Sequence, residues 1–271
     1  MIDPASVLSE VIEIARGAGE IIRKIYEEGD FVSEVKDDAT PVTSADYAAH
    51  HYIMDALSKL TPEIPILSEE QADISLADRE AWQCYWLVDP LDGTQEFVSG
   101  SGDFATEIAL VQNNQPVLGV VYGPIVQILY AAVKGHGAFK EQNGKRSSIK
   151  SRHYPDKPEH IRVATSRVQR PALLQAILNC NYRYKLHPLG SASLKSCMVA
   201  EGAADCYIRV GPTGEWDTGA PQIILQEAGG TLLDLHLRDL TYNQRESLEN
   251  PNFISLGDPK LPWRDILKNP S

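Results

Sequence analysis

The chain has 271 residues, 43% of them hydrophobic and 23% charged, enough for one large globular unit or two closely joined ones. Lys and Arg number 25 against 37 Asp and Glu, a formal net charge of −12, which disfavours nucleic acid and anionic membrane as partners. A phosphate-bearing substrate would need local positive charge, and bound metal is its natural source.

The elements follow in chain order. Residues 4–27 carry Val7, Val11, Ile14, Ala18, Ile21, Ile22 and Ile25 at helical spacing and predict an amphipathic helix. Residues 29–38 are polar and predict a turn or a loose pair of strands. A second helix starts after Thr43, whose hydroxyl suits an N-cap with Asp46 three residues on. Residues 64–67 form a short apolar strand ending at Ser68-Glu69-Glu70, and residues 71–82 read as a polar surface loop or short helix. Residues 84–88 are a strand that runs into Asp89-Pro90-Leu91-Asp92-Gly93-Thr94. Residues 105–112, 117–122 and 128–133 give three more strands, the first two joined at Asn113-Asn114. Tight turns fall at Gly135–Gly137 and Asn143-Gly144.

The proline- and charge-rich stretch 147–160 marks a boundary, so the expected division is 1–155 and 156–271. Beyond it come a strand at 161–164, a helix at 171–178, a strand at 182–186 and a helix at 193–199. A strand at 204–210, a helix at 217–228 and a strand at 231–235 follow. The tail from Gly257, with Pro259, Pro262 and Pro270, reads as irregular. Cys84, Cys180, Cys197 and Cys206 show neither CxxC pairing nor metal spacing and read as free, mostly buried thiols of a reducing compartment. With no signal-peptide pattern and no membrane-length apolar run, a cytoplasmic protein is expected.

Asp46, Glu69, the pair Asp89 and Asp92, and Asp217 each stand at the end of an element or the start of a helix. Each alone has a plain reading: a helix cap, a solvated loop charge, an Asp-Pro turn, an N-terminal helix residue. Together they offer what Mg2+ requires, oxygen ligands from separate parts of a chain, and a pair of such ions can clamp a phosphoryl displacement. Gly93-Thr94 opens a helix or turn, where free N–H groups can meet an anion.

Asp89-Pro90-Leu91-Asp92-Gly93-Thr94 resembles the first signature of the inositol monophosphatase superfamily. Glu215-Trp216-Asp217-Thr218-Gly219-Ala220, followed by Glu227-Ala228-Gly229-Gly230, resembles its second. Pro41-Val42-Thr43-Ser44-Ala45-Asp46 and Leu67-Ser68-Glu69-Glu70 resemble two upstream motifs, and the four blocks stand in the family's order. Within the superfamily, Gln95-Glu96-Phe97, residues 118–124, Ser193-Leu194-Lys195, residues 197–202 and residues 209–213 are similar to the CysQ-type 3′(2′),5′-bisphosphate nucleotidases.

The resemblance implies a layered α/β (α+β) fold, the αβαβα sandwich of the sugar phosphatases, with the site where the two parts meet. It implies a Mg2+-dependent, lithium-sensitive phosphatase of sulfur metabolism. Such an enzyme takes the 3′-phosphate from adenosine 3′,5′-bisphosphate, and in some members from the sulfated nucleotide. Glu69, Asp89 and the Leu91 carbonyl would hold one ion, Asp89, Asp92 and Asp217 a second, and Glu69 with water a third. Asp46 and Thr94 would orient and deprotonate the attacking water, and the N–H groups of Gly93 and Thr94 would cradle the scissile phosphate. Ser193, Lys195 and Arg209 would line the nucleotide side. Substrate would thus meet Glu69, Leu91, Asp92, Gly93, Thr94 and Asp217 as well. A small molecule is the expected partner, and the state is a monomer or homodimer.

The chain departs from the family pattern in two places: Gln95 stands where lysine is usual, and Ser191-Ala192-Ser193 holds one residue more than the common serine motif. Pro221 is expected in the first turn of its helix, where a missing N–H costs little. His50 and His51, being adjacent, cannot form an i, i+4 metal pair; His187 reads as a surface residue and Trp216 as packing for its helix. An inositol- or sugar-phosphate phosphatase and an idle nucleotide- or metal-binding member are the alternatives.

Overall fold

A computed structural model describes residues 2–35, 41–156, 158–167 and 171–268. A 3-10 turn at Pro4–Val7 leads into α1 (Leu8–Glu28), which ends at Gly29. Strands β1 (Ser33–Val35) and β2 (Pro41–Thr43) pair antiparallel; the expected turn over 29–38 falls partly outside the described residues. Then come α2 (Ser44–Leu60), β3 (Ile66–Ser68), a 3-10 turn at Glu69–Gln71, α3 (Leu76–Arg79), β4 (Cys84–Asp92) and α4 (Thr94–Val98). Strands β5 (Ala105–Gln112), β6 (Gln115–Gly123), β7 (Ile128–Val133), β8 (Ala138–Gln142) and β9 (Lys145–Ile149) follow. The remainder is β10 (Ile161–Thr165), α5 (Pro171–Ile177), β11 (Tyr184–Pro188), α6 (Ala192–Ala200), β12 (Cys206–Arg209), α7 (Trp216–Glu227), β13 (Thr231–Asp234), β14 (Phe253–Leu256) and α8 (Trp263–Ile266).

These elements make five layers. The seven-stranded sheet, in order β3-β4-β5-β6-β7-β8-β9, is antiparallel except where β3 meets β4. Both of its faces are covered, so its central strands are apolar on both sides. Trp86, Val88, Ile108 and Leu110 pack against Val11, Ile22, Ile53 and Leu57 of α1 and α2. Tyr85, Leu87, Ala109 and Val121 face the other way, toward Ile223 and Ile224 of α7. Gly119 of β6 lets α7 settle on the sheet: a Cβ there would lie 2.6 Å from the Ala220 carbonyl oxygen. The five-stranded sheet, in order β11-β10-β12-β14-β13, lies beyond α6 and α7, with Tyr207 and Phe253 turned toward them. Trp263, Ile266 and Leu267 close its outer face with Val163 and Ile254.

Several expectations change. The strand read as 84–88 continues to Asp92, because the bulge between Asp89 and Asp92 keeps it paired with β5. The polar stretch 71–82 holds Arg79, which is fully buried: it donates to the carbonyls of Ile74, Arg245 and Glu246 and to Asn243 Oδ1. Pro221 lies beyond the first turn of α7, where it removes the N–H that would bond the Asp217 carbonyl. The tail carries α8 after Pro262, and Pro270 is outside the described residues. β14, passed over in the sequence, is an interior strand of its sheet, between β12 and β13, and β8 and β9 extend the other. Two of the four cysteines, Cys197 and Cys206, are buried, while Cys180 is exposed.

Candidate active site

The parity of β4 decides where its carboxylates point. Tyr85 and Leu87 face α7, so Asp89 does as well. Asp92 is three residues on and would ordinarily face the opposite layer. The bulge resets the phase, so Asp92 sits opposite Ala105, which belongs to the α7-facing core. Asp217, in the first turn of α7, meets them from across the layer, and oxygens of Asp89, Asp92 and Asp217 all lie within 4.8 Å of one another. Glu69, in the turn after β3, is outside that tight group. It lines the same cleft, and after burial its charge is the strongest influence raising Asp89. His50 Nδ1 lies 2.9 Å from Ser68 Oγ and fixes the residue before it.

Three carboxyls are pushed well above the carboxylate range: those of the buried Asp89 and Glu107 and of the partly exposed Asp217. Burial is the first cause in each. Repulsion follows, from Glu69 on Asp89 and from Asp92 on Asp217 and Glu107. Glu107 pairs with Asp89 across β4 and β5, and both its oxygens are buried without a hydrogen bond of ordinary geometry. Such crowding is costly unless positive charge offsets it. The donors are all oxygen, from carboxylates on separate elements with the Leu91 backbone beside them, so the set fits a hard divalent cation.

Asp46 serves two structures at once. Its Oδ2 accepts from the Thr43 N–H at 2.8 Å and the Thr43 hydroxyl at 2.6 Å, which completes the capping box of α2. Its Oδ1 accepts from the Thr94 hydroxyl at 3.0 Å. Burial raises its pKa against the opposing pull of the Thr43 and Thr94 bonds. Thr94 lines the cleft; the Leu91 carbonyl lies 3.3 Å from its hydroxyl. Gly93 turns the chain between β4 and α4 at φ 96°.

The nucleotide-side expectation divides. Lys195 and Arg209 both line the cleft, but Ser193 does not reach its wall. Ser193 is fully buried and gives Asp92 Oδ2 its N–H at 2.9 Å and its hydroxyl at 2.8 Å. Ser191 does line the cleft; its hydroxyl donates to the same Asp92 oxygen at 2.5 Å and accepts from Leu194 N as the cap of α6. Both serine hydroxyls thus meet Asp92, that of Ser191 on the cleft wall and that of Ser193 behind it. Lys195 Nζ points to the carbonyls of Leu189 and Gly190 at 3.3 and 3.2 Å and sits 5.0 Å from the Tyr207 ring centre. Burial, partly offset by Asp92, brings its pKa down to about 8.

The cleft encloses ≈ 670 Å³, the size of a small-molecule site. Arg209 ends β12, and Ser166 follows β10, the strand from which the sheet order runs both ways; crevices at such carboxyl ends are common ligand sites. Sequence reasoning missed Ser166, Thr213, Glu246 and Glu249 on the wall, and Glu107 behind it. Trp216 also lines the cleft. Only Glu107, a charge inside an otherwise apolar strand, carried a signal.

The model of the inositol monophosphatase family matches residues 3–258. A 3′(2′),5′-bisphosphate nucleotidase CysQ of Aggregatibacter actinomycetemcomitans is 44% identical over 260 residues, 96% of each chain. One of Haemophilus influenzae is 40% identical over 263 residues, 97% of each. Among solved structures, CysQ from Bacteroides thetaiotaomicron superposes with a TM-score of 0.78 at 36% identity, covering 93% of this chain and 97% of that one.

Proposed function

The chain belongs to the inositol monophosphatase family, and from that premise we propose that it is a Mg2+-dependent 3′(2′),5′-bisphosphate nucleotidase, releasing AMP and phosphate from adenosine 3′,5′-bisphosphate. The observation that carries this reading is one cleft lined by both the Asp89, Asp92 and Asp217 carboxylates and the cations Lys195 and Arg209. A substrate with a single phosphate needs the first group alone. A second phosphate gives the two cations a partner, which this acidic chain otherwise repels. The similarity to nucleotidases over nearly the whole chain supports the same choice.

In this reading Glu69, Asp89, Asp92, Asp217 and the Leu91 carbonyl hold the divalent cations. Bound there, these would neutralise the phosphate and acidify water. Thr94 positions the attacking water. Its hydroxyl already donates to Asp46, so Oγ1 keeps lone pairs for a water proton while Asp46 Oδ1 can take the hydroxyl's own. Asp46 acts through Thr94, since it is buried and off the cleft wall. Gly93 and Thr94 offer backbone N–H groups to the scissile phosphate. Lys195 and Arg209 bind the other phosphate, and Ser191 replaces Ser193 as the hydroxyl on the wall.

Product identification tests the reading. Incubation of adenosine 3′,5′-bisphosphate with enzyme and Mg2+ should give 5′-AMP by chromatography, with loss of turnover in chelator and inhibition by Li+. Release of the 5′-phosphate instead, or no turnover with any divalent cation, would sink it.

A further inference from the structure

Lys195 Nζ is held by two successive carbonyls, Leu189 at 3.3 Å and Gly190 at 3.2 Å, and the first of these peptides has a carboxylate on its far side. The carbonyl of Leu189 accepts from Lys195 Nζ at 3.3 Å, and the N–H of the same peptide, on Gly190, donates to Asp103 Oδ2 at 2.8 Å. The same Asp103 oxygen takes Arg167 Nε at 2.5 Å. Asp103 comes from the loop after α4, beside the carboxylate turn, while Arg167 and Gly190 follow β10 and β11 of the other sheet. The approach is close: a Cβ on Gly190 would lie 2.5 Å from Asp103 Cβ and 2.7 Å from its carbonyl oxygen, so only glycine fits. Leu189 N also bonds the Thr165 carbonyl, so the turn is tied on two sides.

We infer that Asp103 and Arg167 form a clamp between the loop after α4 and the ends of β10 and β11 that positions Lys195 through the Leu189–Gly190 peptide, making Asp103 a positioning residue for the second-phosphate cation. A carboxylate on a peptide N–H polarises the unit and strengthens its carbonyl as an acceptor for the ammonium. The same peptide leads into Ser191, a non-glycine residue at φ 51°, whose hydroxyl is on Asp92. Asp103 is buried and Arg167 half exposed, so the outer contact is screened by salt while the inner one is not.

The inference rests on the proposed function for its kinetic consequence, though not for its structural one, so two readouts are needed. The first is acetylation of Lys195 by acetic anhydride, followed by mass spectrometry, with the exposed Lys24 as internal reference. Arg167→Ala and Asp103→Asn each remove the ion pair, and Asn retains an acceptor for Gly190. Both should speed Lys195 acetylation relative to Lys24, and Asp103→Ala should speed it most. The second is KM. Arg167→Ala should raise KM for adenosine 3′,5′-bisphosphate about two- to five-fold, the range of a half-exposed ion pair. Turnover of p-nitrophenyl phosphate should stay as in wild type. Unchanged Lys195 acetylation in Arg167→Ala, which is exposed enough to fold if Asp103→Ala is not, overturns the clamp. Equal losses on both esters do so as well, because a general structural defect has that signature. Faster acetylation with unchanged KM keeps the clamp and counts against the bisphosphate reading.

Discussion

Asp92 carries a heavy local load. One of its oxygens accepts three hydrogen bonds, from the Ser191 hydroxyl and from the N–H and hydroxyl of Ser193. Asp92→Asn should therefore cut kcat/KM with Mg2+ by at least about 10²–10³, or about 2.7–4 kcal/mol, the scale of losing one aimed electrostatic group. The metal-free protein should melt no lower than wild type, because the change relieves repulsion on Asp217 and Glu107; differential scanning calorimetry checks this. Lys195 sets a pH limit. Its ammonium loses its proton near pH 8, so kcat/KM for adenosine 3′,5′-bisphosphate should fall above that pH while p-nitrophenyl phosphate is spared. A profile with the same alkaline limb on both esters contradicts this role. At this scale the acidic positions could be read from residue type and location, and the two cations from the resemblance to the nucleotidases. The exchange of Ser191 for Ser193 could not, because it depends on the phase in which α6 begins.

Elements place these side chains more than local propensity does. A regular β4 would send Asp89 and Asp92 to opposite layers, and the bulge that unites them has no signature beyond Pro90 within the strand. The capping box of α2 was legible, because Thr43 and Asp46 have the spacing that a helix start requires. What the spacing could not disclose is that the free oxygen of that cap faces Thr94 of another element. Thr43→Ala should thus have two effects. It should cost about 1 kcal/mol of stability, typical of a lost cap, seen as a lower denaturation midpoint. It should also lower kcat at temperatures where the variant is fully folded, since Asp46 Oδ2 loses its bond from the Thr43 hydroxyl and keeps only the one from the backbone N–H. A loss of stability with wild-type kcat would separate Asp46 from the chemistry. Arg79 shows the opposite failure: a polar segment suggested surface, whereas one guanidinium satisfies four acceptors inside.

Across the whole molecule, five layers deliver groups from both sheets to one crevice; the apolar runs gave most of the separate elements, and the family resemblance made their layering readable. Long-range pairing was not: β14 lies between β12 and β13 although it follows both in the chain. The cost of the assembly is a crowded set of acids. Asp89, Asp217 and Glu107 have folded-state pKa values raised well above their unfolded ones. Their contribution to stability is therefore most favourable below the ordinary carboxylate range and declines as pH rises through the raised values. Divalent cation should reverse this, so the gain in melting temperature on adding Mg2+ should be larger at pH 8 than at pH 5. An equal gain at both would mean that the ion binds elsewhere. The nucleotidase assignment itself is tested most directly by one ratio, kcat/KM for adenosine 3′,5′-bisphosphate over that for inositol 1-phosphate, measured with Mg2+. Lys195 and Arg209 beside the carboxylates should make it at least about tenfold, the value of one charged contact; a ratio of one or below contradicts the assignment.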